Sequence, residues 1–150
     1  VQHVDIFPTL LSLIGVKPPF CDGKSLLPCI ESRGSLKTRD VALMIETSFQ
    51  YKRALRTERF KYIEAVSPEL AICRSCRCVH GGFRELYDLM KDPNETKNIV
   101  NENVEVAQEF SALLKYLVNL YLMRRERLKL SHIIKKSSLI KTEMRNSYIL

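Results

Sequence analysis

The chain has 150 residues, enough for one ordinary domain or one domain with a piece of another. At 45% hydrophobic it can bury a core, which excludes wholesale disorder; five glycines and six prolines exclude collagen-like or low-complexity sequence, and no uncharged apolar run is long enough to span a membrane. The formal charge of +7 belongs to a tail, where Arg124, Arg125, Arg127, Lys129, Lys135, Lys136, Lys141 and Arg145 outnumber Glu126 and Glu143, so it describes residues 123–150 and not the partners of the rest.

The chain begins at Val1 with no basic leader and enters a helical pattern almost at once. That points to the C-terminal portion of a longer protein. Residues 4–16 predict a short buried helix, with Asp5 as N-cap, Pro8 in the first turn and Gly15 as the stop. Its apolar residues run almost all round, so it needs a large body to bury it, and the chain does not supply one. Residues 17–40 read as loop, broken by Lys17-Pro18-Pro19 and turned at Asp22-Gly23. Residues 41–65 predict three short strands, the second and third joined by a tight turn near Glu58. A connection containing Pro, Cys and Gly follows. FRELYDL (83–89) then predicts a fourth strand, with Phe83, Glu85, Tyr87 and Leu89 on one side and Arg84, Leu86 and Asp88 on the other. Asp92-Pro93-Asn94 is a turn, after which Asn101 or Asn103 can cap a long helix. Val106, Phe110, Leu113, Leu117 and Leu120 form its apolar stripe, and the helix is expected to run to about Leu130. The fold class is therefore α+β: a small antiparallel four-stranded sheet with a long C-terminal helix packed on it.

Four segments, VDIFPTLLSLIGV, DGKSLLP, RALRTERFKYI and ELYDLMKDPNETKNI, together resemble the C-terminal part of the sulfatase family, within the alkaline-phosphatase-like superfamily. The stretch ETSFQYKRALRT is similar to the heparan-N-sulfatase-like branch. The resemblance covers roughly residues 1–100. It implies that residues 1–37 end an α/β catalytic domain and its linker, that 38–122 form the C-terminal subdomain, and that 123–150 are a basic helical tail. It also implies sulfate-ester hydrolysis through an oxidised Cys or Ser in a C-x-P-x-R signature, with calcium held by upstream carboxylates. None of Cys21, Cys29, Cys73, Cys76 and Cys78 has proline two residues on, so no catalytic residue is assigned here and the chain alone is expected to be inactive. The expected partners are the upstream catalytic domain of the same polypeptide and an anionic sulfate-ester substrate, not nucleic acid.

Glu46, Lys52 and Arg53, with Tyr51, lie where the first two strands meet. In the family this edge can face the mouth of the active site. Cations there suit an anionic sugar or sulfate oxygen, and arginine offers two-pronged contact. Solvent-facing strand charges are the plainer alternative. His3 is expected on the surface.

The five cysteines are an odd number, and Cys73, Cys76 and Cys78 are too close together for an ordinary disulfide framework. They favour a reducing compartment, hence a cytoplasmic location. With His80 they place three thiols and an imidazole within eight residues, a set suited to zinc. Free thiols and a loop disulfide remain open alternatives. A different reading of the whole chain is a standalone basic α+β binding module stapled by zinc, or a segment of a related phosphonate or phosphate ester hydrolase.

Overall fold

The computed structural model describes residues 1–146, with side chains in the last helix placed as far as Arg124 and at Glu126. It has two units, one from Val1 to Phe110 and one beginning at Ser111.

The first unit starts with a single 3₁₀ turn, His3–Asp5, leading into α1 (Ile6–Leu13). Asp5 occupies the expected N-cap position but makes no capping bond. Its fully buried carboxylate accepts the N–H groups of Gln2 and Lys24, each at 2.9 Å, and the guanidinium of Arg39. Thr9 completes the clamp: its hydroxyl donates to the Asp5 carbonyl at 2.5 Å and accepts the Leu26 N–H at 2.9 Å. Between these two anchors lies Gly23, where a Cβ would overlap the Val4 carbonyl and press on Pro8. The DGKSLLP segment is thus laid directly against α1. Gly15 ends that helix at φ +73°, with Val16 N–H bonded back to the Leu11 carbonyl.

Within the expected loop 17–40 stands one further helix, α2 (Leu27–Glu31), with Pro28 in its first turn. Five residues are too few to write a helical period into the sequence. The helix α1 buries Pro8 and Thr9, while Ile6, Phe7, Leu10, Leu13 and Ile14 remain exposed, Ile14 at 72%.

Strands β1 (Ala42–Glu46), β2 (Lys52–Arg56), β3 (Phe60–Ala65) and β4 (Arg84–Asp88) form one antiparallel sheet in the order β1-β2-β3-β4. One face carries the row Leu43–Leu55–Tyr62–Leu86, whose last three members are fully buried. Helix α3 (Val104–Asn146) begins on this face, with Phe110 ring centroids 6.1 Å from Phe60 and 6.2 Å from Tyr62. The opposite face carries the row Met44–Ala54–Ile63–Glu85. Strand β4 is buried on both sides from Glu85 to Asp88, so its acids need internal partners.

The segment after β4 is built by three polar side chains. Asp92 accepts the Lys97 N–H at 2.8 Å and the Thr96 hydroxyl at 3.0 Å, closing the turn. Glu95, at φ +56°, pairs with Arg56 at 3.1 Å and with Lys61. Asn98 accepts the Leu86 N–H at 3.0 Å and donates to the Arg84 carbonyl at 3.1 Å, covering the free edge of β4.

Helix α3 differs from expectation in length and in face. It continues past Leu130 to Asn146, because the sequence after Pro93 contains neither proline nor glycine to stop it. Its buried stripe is Ala107, Ser111, Leu114 and Val118, one position round from the expected one; Leu113 and Leu120 are exposed. The buried positions 107 and 111 hold small residues, which a count of large apolar residues overlooks. The side chains of the basic tail beyond Glu126 lie outside the described residues.

Burial raises the Asp5 carboxyl, but the Lys24 and Gln2 N–H groups and Arg39 outweigh it and hold the group below its ordinary value. Its stabilising contribution is therefore complete above the ordinary carboxylate range near pH 4 and lost as pH falls through the depressed folded value. Asp5→Ala should cost about 3–5 kcal/mol in urea unfolding at pH 7, because it strands the mostly buried Arg39. An unchanged midpoint would show that the clamp does not hold the unit together.

Candidate functional site

A groove of about 400 Å³ opens on the sheet face opposite Phe110, floored by Met44, Ala54 and Ile63. Glu46, Lys52 and Arg53 border it together with His80, but the strand register turns the Arg53 side chain to the face of Leu55 and Tyr62, so of the three only Glu46 and Lys52 lie on the groove face. Their chemistry differs sharply.

Lys52 is buried on β2. Its ammonium donates to Glu85 Oε1 at 2.7 Å and to the His80 carbonyl at 2.5 Å. The other Glu85 oxygen accepts the Tyr87 hydroxyl at 2.7 Å. Burial, and then the Glu85 charge beside it, push the Tyr87 phenol well above its usual value. This is a structural network with its polar atoms satisfied, and the Lys52 charge is spent inside the protein. Glu46 is also committed: its carboxylate accepts the N–H groups of Phe49, Gln50 and Ser48 at 2.7–3.1 Å and builds the turn into β2. The Phe49 N–H foremost holds its carboxyl below the usual range, against a smaller opposing effect of burial.

Arg53 stands apart. It lies in the cross-strand row Ile45–Arg53–Glu64–Arg84, with its guanidinium carbon 5.7 Å from the centre of the Tyr51 ring. Its Nε is buried without a hydrogen-bond partner among the described residues. Of the three, Arg53 is the side chain with a nitrogen left unpartnered among the described residues, and it stands on the face of Leu55 and Tyr62. His3 is exposed, as expected.

Beside the groove, residues 72–79 form a small hairpin. Ile72 bridges Val79, and the Cys73 N–H bonds to the Cys78 carbonyl at 2.9 Å. Cys73 Sγ, Cys76 Sγ and a His80 ring nitrogen all lie within 4.8 Å of one another, with Cys76 Sγ 2.9 Å from His80 Nε2. Cys78 Sγ sits outside this group, 3.6 Å from the Cys76 carbonyl. None of the five cysteines is in a disulfide. The N–H groups of Cys76 and Ser75 draw the Cys73 thiol down to about 7. The Cys76 thiol goes up: the Cys78 N–H lowers it, but Cys73 and burial prevail.

Sequence reasoning missed Glu85 as the partner of Lys52 and Tyr87 as the partner of Glu85. The signal was an acid on the strand side that also carries Tyr87 and Leu89. The described residues do not fit calcium. Those that gather closely enough to share an ion are Cys73, Cys76 and His80, soft ligands unlike an all-oxygen cage. Among the described residues no helix is long and apolar enough to cross a membrane.

No family model and no curated protein matches the chain. Solved structures do. BT4656, solved with its substrate D-glucosamine-2-N,6-O-disulfate, is 26% identical over 78% of this chain with a TM-score of 0.61. A 6S-sulfatase from a glycosaminoglycan-metabolising locus of Bacteroides thetaiotaomicron is 27% identical over 75% of the chain with a TM-score of 0.58. The yidJ protein of Bacteroides fragilis, which carries the sulfatase name, shares the fold at 21% identity over 77% and a TM-score of 0.55. The chain spans 24% of the length of each.

The buried pair makes a sharp energetic prediction. Glu85→Gln leaves the Lys52 ammonium buried without its counter-charge and should cost about 3–5 kcal/mol in urea unfolding. Removing both charges, as Lys52→Met with Glu85→Leu, should cost clearly less than the sum of the single changes. Additive losses would mean that the two side chains do not interact as described.

Proposed function

We propose that this chain is the C-terminal segment of a sulfatase-like hydrolase acting on a sulfated amino sugar, and that it completes the fold and the substrate pocket without supplying the nucleophile. The chain resembles the C-terminal portion of sulfatases, and the observation that carries the functional reading is the likeness to BT4656, whose substrate is such a sugar. Three features of the molecule support it. The exposed apolar residues of α1 form a surface that a larger catalytic body would cover, which also argues against a free-standing binding module. Arg53 has a buried Nε with no hydrogen-bond partner among the described residues. No cysteine of the chain stands in a C-x-P-x-R signature.

In this reading the chain's own residues do three things. Asp5 and Thr9 lock the end of the catalytic domain to the DGKSLLP segment. The Lys52–Glu85–Tyr87 network fixes the floor of the groove. Arg53 donates to an anionic group of the sugar beyond the scissile ester. Calcium bound by the complete enzyme would supply positive charge for the ester oxygens, and no group of described residues here would hold it. Five cysteines outside any disulfide suit a reducing compartment, and a cytoplasmic location is part of this proposal.

Two outcomes are expected. Residues 1–150, purified and supplied with calcium, should release nothing above background from an aryl sulfate or an aryl phosphate, since a nucleophile, a metal and a leaving-group acid are all needed. Metal-dependent turnover that survives further purification would overturn the accessory role. In the polypeptide of the complete reading frame, Arg53→Ala should lower kcat/KM for a sulfated glucosamine by about 10- to 100-fold, while sparing a small aryl sulfate that offers no second anionic group. Equal losses on both would make Arg53 structural.

A further inference from the structure

We propose that the hairpin beside the groove is a zinc knuckle, in which Cys73, Cys76 and His80 hold one zinc ion and Cys78 turns in as the fourth ligand. The argument begins with the spacing. Two thiolates at 2.3 Å and an imidazole at about 2.0 Å from a tetrahedral ion lie about 3.5–3.8 Å apart. Ligand atoms already within 4.8 Å of one another need only small side-chain movements to reach that arrangement. The closest pair, Cys76 Sγ and His80 Nε2 at 2.9 Å, opens by about 0.6 Å to admit the ion.

The backbone of the loop gathers the sulfurs: the Cys73 N–H bonds to the Cys78 carbonyl at 2.9 Å, which closes the turn that carries Cys76. The Arg77 N–H closes the turn on the Cys73 carbonyl at 3.0 Å, and Arg77 takes φ +62° to do so. A non-glycine residue in the left-handed region is held there by its surroundings. Here it is what lets the chain reverse between Cys76 and Cys78.

The hairpin register supplies the fourth ligand. Next to the Ile72–Val79 bridge the Cys73 N–H bonds to the Cys78 carbonyl at 2.9 Å, which brings Cys78 beside Cys73. Cys78 Sγ rests 3.6 Å from the Cys76 carbonyl, a weak sulfur contact that one rotation about χ1 releases. His80 is placed by the buried network, since Lys52 holds its carbonyl while Glu85 holds Lys52. Gly81, at φ +76°, lets the chain pass the Glu85 carboxylate, which a Cβ would strike. The ligand set thus has one rigid member, anchored to the sheet, and three on a turn that lacks a core of its own. Thiolate and imidazole ligands favour zinc over calcium or magnesium. Cys76, Cys78 and His80 are exposed, giving the ion a path in, and four protein ligands make the site structural. The site stands whether or not the chain serves a sulfatase.

The test uses the whole chain, purified without chelator and without an affinity tag of histidines. Elemental analysis should find about one equivalent of zinc, absent from Cys73→Ser and from His80→Ala and retained in Cys29→Ser. Cobalt(II) added to the stripped wild-type chain should give the visible spectrum of a tetrahedral thiolate site, weakened in Cys78→Ser. The cobalt readout stands even where a substitution impairs folding. Less than about a tenth of an equivalent of zinc, with all five thiols freely titratable and no tetrahedral cobalt spectrum, would overturn the proposal. A Cys73–Cys76 disulfide in freshly prepared protein would overturn it equally. An undiminished cobalt spectrum in Cys78→Ser would remove Cys78 from the ligand set.

Discussion

The Lys52–Glu85 ion pair is the constraint on which the rest of the first unit depends. It joins β2 to β4 across the intervening strand, on the face away from Phe110, and both side chains are almost fully buried, at 10% and 7% exposure. Two charges in such a place cost more to bury than they return unless every remaining donor and acceptor is met. Here the surplus capacity is used: Lys52 takes the His80 carbonyl and Glu85 takes the Tyr87 hydroxyl. The pair therefore fixes the floor of the groove and the exit of the cysteine hairpin at once. Gly81 follows from it, because no other residue lets the chain past the Glu85 carboxylate at that φ.

A second constraint, Asp5, organises the first thirty-nine residues in the same way. One buried carboxylate collects two backbone N–H groups and the Arg39 guanidinium, drawing together positions far apart in sequence. The apolar side chains of α1 then remain on the outside, so the polar clamp and not a hydrophobic core defines this end of the chain. The sheet is conventional by contrast, with Leu55, Tyr62 and Leu86 excluded from water.

Much of this was legible beforehand. All four strands were readable, because alternation and the breaks at Thr57-Glu58 and Asp92-Pro93 are local signals. The strong segments now have physical reasons: Asp5 and Thr9 meet Gly23 and its neighbours, and Glu95 and Asn98 meet Arg56, Lys61 and β4. What sequence could not show was tertiary pairing. A lysine on a strand reads as a solvent-facing cation; only the register that brings Glu85 close makes Lys52 an internal one. Glu46 similarly looked available and instead caps its own turn. The stripe of α3 was misplaced because the buried side uses Ala107 and Ser111, which periodicity of large residues does not weigh. The backbone bond that brings Cys78 beside Cys73 is a local fact, yet spacing alone does not show it.

The account divides labour within the proposed hydrolase: these residues shape and brace a pocket, and the reaction is carried elsewhere in the polypeptide. The groove is lined by committed side chains, Glu46 and Lys52, as a bracing role requires. Its central claim is tested most directly by measuring sulfate release from an aryl sulfate by the polypeptide translated from the complete reading frame that contains this chain. The account predicts calcium-dependent release by that polypeptide; a well-folded, calcium-loaded polypeptide that releases no sulfate would contradict it.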